Sequence, residues 1–322
     1  MRNRRIVLVS GLALVMGSLC AQAQDFPVRP VKLLVPYAAG GPTDTFARAL
    51  ADTWGKKLGV PMVVENRTGA GTLVGTEVAA KAAADGYTVL LTTVAHAVNP
   101  SIHPKLPYRT IEDFAPVGLA AKAPLVIVVN KNLPVTNLQE FLKYIKDNPG
   151  KVSYGSAGVG SAPHLAAELL NYMTASKAVH VPYRGSAPSM QDVIGGHLAF
   201  MIDSAPTGLA QVKAGSVRLL GTTMEKRLAQ TPETPAVSEF VPKYEAYTWN
   251  AAFVPAATPA PVAAKLNATL QEAVADAQLQ KQAYDMGLVL EKKPTPDDLS
   301  KFLGSELDKW SKVAKAANMT AN

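Results

Sequence analysis

The sequence predicts an α/β protein of two lobes, each a mainly parallel sheet flanked by helices and joined by a two-segment hinge. Three observations carry that prediction. Short apolar strands alternate with amphipathic helices along the chain, the pattern of repeated βαβ units with helices on both sheet faces. A strand–glycine–helix sequence occurs twice, about one lobe apart, at Val35-Pro-Tyr-Ala-Ala-Gly-Gly-Pro-Thr-Asp44 and at Ser153-Tyr-Gly-Ser-Ala-Gly-Val-Gly-Ser161. Two extended, weakly polar segments, 115–129 and 247–259, lie far apart in sequence and hold prolines. They fit the two crossings of a bilobal hinge, the alternative being ordinary strands of one wide sheet.

Taken in order, 31–37 is an apolar strand. Residues 42–58 form a helix with Pro42 at its first position, Phe46, Leu50, Trp54 and Leu58 on one face, and Gly59 as its stop. A strand at 60–65, a helix at 73–84 and a strand at 87–93 follow. After the first crossing comes a helix whose start is marked by Thr136 and Gln139 at capping-box spacing. Strands near 152–154, 178–181, 198–202 and 217–221 alternate with helices near 163–173, 188–194 and 207–213. Two long helices, 261–286 and 296–317, around a short strand at 288–291 complete the chain. The expected division is lobe one from 24–120 and 250–322, and lobe two from 121–249.

Residues 1–23 read as an export signal. Arg2, Arg4 and Arg5 precede the apolar run Ile6–Leu19, and Ala21-Gln22-Ala23 presents small residues at −3 and −1. The run is shorter than the roughly 20 residues of a membrane span. Cys20, the single cysteine, falls inside this segment, so the exported chain has no disulfide and no thiol chemistry. The chain carries 32 basic and 25 acidic residues; without the three leader arginines, 29 against 25 leaves +4. The basic residues are scattered, without the clustered, aromatic-interleaved stripe of a nucleic-acid surface.

Both glycine loops suit an anion. Gly40 and Gly41 allow close approach to the main chain, and the helix that follows adds positive potential. A β-branched side chain at Gly41, as in Gly41→Val, is expected to occupy the anion position and abolish binding. Six ordered motifs then give the sequence its resemblance: Val35-Pro-Tyr-Ala-Ala-Gly-Gly-Pro-Thr-Asp; Glu65-Asn-Arg-Thr-Gly-Ala-Gly-Thr; Asp85-Gly-Tyr-Thr-Val-Leu; Asp113-Phe-Ala-Pro-Val; Tyr154-Gly-Ser-Ala-Gly-Val-Gly-Ser; and His180-Val-Pro-Tyr-Arg-Gly. Over essentially all of the mature chain it resembles the Bug-type extracytoplasmic solute-binding receptors of tripartite tricarboxylate transporters. The resemblance implies a monomeric periplasmic Venus-flytrap receptor that holds a small carboxylate, an aromatic acid or an amino acid without metal or cofactor and hands it to a membrane permease.

The candidate ligand-binding residues are Tyr37, Ala39, Gly40, Gly41, Thr43 and Asp44 in the first loop; Thr93 and His96 after the third strand; Ser156 and Ser161 in the second loop; and Arg184 and Asp203. Asp44 sits in a first helical turn, where the dipole favours a carboxylate whatever the function. Ser156 is expected to touch ligand, and Ser161 to touch ligand and cap the next helix. Thr93 and His96 lie at a strand's carboxyl end, where open α/β sheets bind ligands. Arg184 fits either a bidentate grip on a distal carboxylate or a structural pin on its loop. Asp203 would repel a bare anion, so in the site it would organise water or read a donor on the ligand.

Enzyme chemistry, the rival reading, fails on spacing. Gly69-Ala-Gly71-Thr-Leu-Val-Gly75 follows the second strand rather than the first, unlike a dinucleotide loop. Neither Ser156 nor Ser161 has nucleophile-elbow surroundings. The five histidines include no i, i+4 pair suited to zinc.

Overall fold

The computed structural model describes residues 26–183 and 185–321; the leader expected at 1–23 and Arg184 lie outside the described residues. The chain runs β1 (Val31–Val35), α1 (Pro42–Leu58), β2 (Met62–Asn66), α2 (Leu73–Ala80), β3 (Thr88–Thr92), α3 (Ala95–Ile102) and β4 (Phe114–Val129). It continues with α4 (Leu138–Asp147), β5 (Ser153–Ser156), α5 (Ala162–Thr174), β6 (Val179–Pro182), α6 (Ser186–Gly195), β7 (Phe200–Ser204), α7 (Ala205–Lys213) and β8 (Arg218–Thr222). The last elements are β9 (Tyr247–Pro255), α8 (Ala260–Val274), α9 (Ala277–Asp285), β10 (Val289–Leu290) and α10 (Pro296–Ala316).

Strand order along the main path is β2-β1-β3-β9-β4-β7-β5-β6. Parallel pairing is confined to two outer blocks, β2-β1-β3 and β7-β5-β6. Between them β9 and β4 run antiparallel to their neighbours. The 16-residue β4 spans ~50 Å at about 3.3 Å per residue, long enough to serve both blocks. From Phe114 to Pro124 it pairs with β9, and from Leu125 to Val129 with β7 on one side and β8 on the other. The two extended segments of the sequence are therefore paired strands, and the hydrogen-bonded network is continuous from one block to the other.

Three departures from the expected elements have local causes. The helix after β4 is capped one residue later than Thr136 and Gln139 imply: Asn137 accepts from the Glu140 N–H at 2.9 Å, while Glu140 accepts from Thr136 N at 2.7 Å. Asn137 competes successfully because its short amide reaches the third residue of the helix. The expected 261–286 helix is two helices, broken where the Asp276 carboxylate caps Gln278 N at 3.0 Å. Helix α3 was hidden by Pro100, a residue that ordinarily argues against a helix interior.

The apolar core crosses the join. Phe253, Trp249, Leu125, Ile127, Phe200 and Leu165 belong to one buried cluster, so the side of β4–β9 packed by α10 is a single core. There the Trp249 and Trp310 indoles both donate to the buried Glu306 carboxylate at 2.9 Å. On the other face Val117, Ala120, Ala121, Ala252 and Val254 pack with Leu266 and Leu270 of α8 in a second core.

Candidate functional site

A cleft of about 720 Å³ lies between the two blocks, above the carboxyl ends of β1, β3, β5 and β7. Five helices begin at its wall: α1 at Pro42, α3 at Ala95, α5 at Ala162, α6 at Ser186 and α7 just before Pro206. None of the five has a side-chain cap on its first-turn N–H groups. By contrast α4, α9 and α10, which start away from the cleft, are capped by Asn137, Asp276 and Thr295. Helices α2 and α8 also begin uncapped outside the cleft, so the missing cap is not the signal. The convergence is: five positive helix ends meet in one cavity, which favours an anion, although the first N–H groups of α3 are already taken by the Thr93 and Val94 carbonyls.

The first loop is fixed from behind by Asp44. Its carboxylate, 2 % exposed, accepts from Gly40 N at 2.8 Å, Arg48 Nε at 2.9 Å and Asn66 Nδ2 at 2.9 Å. Burial opposes its ionisation, but these donors and the Arg48 charge hold it below the usual carboxylate range. Asp44 is thus the anchor of the loop and not part of the cleft wall, and the Gly40 N–H is already committed to it. Gly40 and Thr43 do line the cleft, whereas Ala39 and Gly41 do not. Gly40 has φ +79°, a conformation that suits glycine. Tyr37 also lines the cleft and shares a hydrogen bond with Thr93 Oγ1; burial pushes its phenol up to about 12.

The second loop is held by neutral groups. Ser156 is fully enclosed: its hydroxyl meets His180 Nε2 at 2.6 Å and accepts from Gly158 N at 3.1 Å. It supports the loop and does not line the cleft, because along β5 it shares the covered sheet face with Tyr154. His164 Nδ1 accepts from Gly160 N at 3.1 Å. The His164 and His180 rings stack with centroids 3.8 Å apart. Burial, and for His164 the neighbouring His180, lower their pKa values to about 3 and about 4. Ser161 lines the cleft and donates to Gly158 O at 2.7 Å; it makes no side-chain cap on α5.

Of the remaining candidates, Thr93 and Asp203 line the cleft. His96 does not: it is fully buried between Tyr108, Phe114 and Phe253, and burial lowers it to about 4. It is a core residue in the first turn of α3, next to Ala95 on the wall but facing inward. Asp203 is 1 % exposed. Its Oδ2 accepts from Thr207 Oγ1 at 2.5 Å, while Oδ1 has no partner among the described residues. Burial pushes the carboxyl up, against the pull of the Thr207 and Ser186 hydroxyls and the Ser204 N–H.

Ser186, Thr207 and Thr248, together with Met286 and Leu288, complete the wall and were not singled out from sequence. For Ser186 and Thr207 the available signal was position: each opens a short helix directly after a strand, as Ser161 does.

The family profile described as "Tripartite tricarboxylate transporter family receptor" matches residues 46–319. Among solved structures, the periplasmic binding protein BugD is 33 % identical, covering 92 % of this chain and 99 % of its own, with a TM-score of 0.77. Rpa4515 of R. palustris, determined with adipate, is 32 % identical over 92 % of this chain and 99 % of its own, with a TM-score of 0.79. MatC of Rhodopseudomonas palustris, with bound malate, is 31 % identical over 89 % of this chain and 99 % of its own, with a TM-score of 0.76.

Proposed function

The chain belongs to the tripartite tricarboxylate transporter receptor family, with the two-lobed fold of its periplasmic solute-binding proteins, and from that premise we propose that it captures a small carboxylate in the cleft and delivers it to a membrane permease. The observation that carries the reading is the convergence of five uncapped helix ends on one cavity. Helices α1 and α3 come from one block, and α5, α6 and α7 from the other. A carboxylate between them accepts hydrogen bonds from both, so its binding free energy favours the closed arrangement. Adipate and malate, held by Rpa4515 and MatC, fit that chemistry.

In this reading the first lobe is built from the segments before 121 and after 249, the second from 121–249, and β4 and β9 bend between them. Gly40, Thr43, Tyr37 and Thr93 bind from the first lobe, and Ser161 and Asp203 from the second. The protein works in the periplasm after removal of its leader, and it acts without chemical turnover.

Calorimetry of the mature protein against four- to six-carbon mono- and dicarboxylates tests the proposal. At 100-fold excess over Kd a ligand adds about 2.7 kcal/mol of stability, so a thermal-shift screen finds it and mass spectrometry shows it returned unchanged. The radius of gyration should fall on binding. Conversion of the solute would establish the enzyme reading, and failure of every carboxylate to bind would overturn the receptor reading.

A further inference from the structure

The wall of the cleft is not uniformly suited to anions. Where β7 ends, Asp203, Ser186 and Thr207 form a partition shared with a second, smaller cavity of about 160 Å³ between α6 and α7, lined also by Met190, Gln191 and Gln211. Asp203 is the acidic member of that partition. It is 1 % exposed, one carboxylate oxygen takes the Thr207 hydroxyl at 2.5 Å, and the other makes no well-formed hydrogen bond among the described residues, although the Ser186 hydroxyl and the Ser204 N–H also favour the ionised carboxylate.

A carboxylate oxygen buried without a donor is costly. Its lone pairs accept and never donate when ionised. A second ligand carboxylate placed there would add a like charge where little water can screen it, and one of the two would have to take up a proton. A nitrogen or hydroxyl donor on the ligand removes the deficit directly. The uncapped ends of α1 and α5, with Gly40, Thr43 and Ser161, supply the opposite pole on the same cavity.

Resting on the receptor reading above, we infer that this site selects a bifunctional solute: a carboxylate at the α1–α5 end and a hydrogen-bond donor, an amine, amide or hydroxyl, at Asp203. A simple dicarboxylate is the disfavoured ligand. The partition with its small side cavity is then the specificity pocket, with Thr207 orienting the carboxylate and Gln191 and Gln211 reading what lies beyond it.

The test is a calorimetric ladder at four, five and six carbons, each length represented by the dicarboxylate, its monoamide, the ω-amino acid and the ω-hydroxy acid. At the best length, a donor-ended member should bind at least tenfold tighter than the dicarboxylate. Asp203→Asn, which keeps the shape and replaces an acceptor by a donor, should lower affinity for the donor-ended ligand at least tenfold and raise that for the dicarboxylate. If that variant fails to fold, as judged by circular dichroism, the wild-type ladder decides alone. Dicarboxylates binding as tightly as their donor-ended partners would overturn the inference and leave the receptor reading standing. Silence across the ladder and across the wider carboxylate screen would overturn both.

Discussion

The two glycine loops that face each other across the cleft look alike in sequence, each a strand, a glycine turn and a helix start, yet they are held by opposite chemistry. Behind the first stands an ionised carboxylate, Asp44, with Arg48, Asn66 and the Gly40 N–H around it. Behind the second stand two stacked neutral imidazoles, His164 accepting from Gly160 N and His180 meeting Ser156. Side-chain acceptors fix one N–H of the first loop, Gly40, and two of the second, Gly158 through Ser156 and Gly160 through His164. The lesson is that one backbone geometry accepts either support, and that the choice of support sets which perturbation each loop tolerates.

Acidification should separate them most. His164 and His180 are depressed from 6.5 to about 3 and about 4. Between pH 6.5 and those values the unfolded chain binds protons that the folded chain refuses, so stability falls as pH falls, by up to about 1.4 kcal/mol per pH unit for each site. Protonated His164 cannot accept from Gly160. Asp44 is also depressed, but its contribution is fully present above the ordinary carboxylate value and fades only as pH drops through its own lower one. The second loop should therefore loosen first. Urea melts at half-unit intervals from pH 7 to 4 should show a slope that the pair His164→Gln and His180→Gln reduces, the remainder coming from His96, likewise lowered to about 4, and His103, also lowered by burial, offset by the raised carboxyls of Glu168, Asp203 and Glu245.

At pH 7 the order reverses. Asp44→Ala removes the acceptor of the exposed Gly40 N–H, of Arg48 Nε and of one Asn66 amide hydrogen, while Asn66 still donates to Tyr37 O, and should cost roughly 3 kcal/mol at about 1 kcal/mol for each of the three hydrogen bonds lost. His164→Leu strands only Gly160 N–H and should cost about 2 kcal/mol. Equal losses in chemical denaturation would contradict the contrast between the supports.

The loops also differ in what they touch. Gly160 has φ +75°, and a Cβ there would lie 2.8 Å from Ile102 Cδ1 on α3, across the cleft. Gly160→Ala should cost about 1–2 kcal/mol for the left-handed backbone and also hold the blocks apart. Ile102→Val removes the clashing methyl, so in a double-mutant cycle it should restore ligand affinity to Gly160→Ala while leaving the backbone cost in place. Simple additivity would show that the contact has no part in closure.

These contrasts mark what the sequence could express. The glycine loops, most helix starts and the apolar strands are local patterns, and they lie where periodicity and glycine chemistry put them, the starts of α3, α4 and α9 excepted. Side-chain direction is not local in that way. Ser156 and His96 sit in the right segments but face inward, because alternation along β5 and the turn of α3 place them beneath the wall. Asp44 was legible as a first-turn carboxylate, but its capture of Gly40 N needed the turn's three-dimensional closure and Asn66 from the adjacent strand. The continuity of the sheet through β4 was invisible because two alternatives, crossing segments and paired strands, turn out to be the same residues.

The smallest effect is expected where sequence reasoning placed one of the largest. Gly41 was expected to leave room for the anion, so that a β-branched side chain there, Gly41→Val, would abolish binding. In the structure its backbone is ordinary and extended, φ −77° and ψ 170°. An added Cβ would make only normal contact, 3.4 Å from Ala38 O, and Gly41 does not line the cleft. Gly40 is the residue with left-handed φ and a place on the wall. Gly41→Ala should therefore change stability by less than about 0.5 kcal/mol and affinity by less than twofold. Gly40→Ala meets no atom within 4 Å but must adopt the strained conformation, at about 1–2 kcal/mol. Calorimetry on the two single variants separates the cases: a large loss at Gly41 with little at Gly40 would mean that the anion sits against the second glycine, and that the first loop closes differently once ligand is bound.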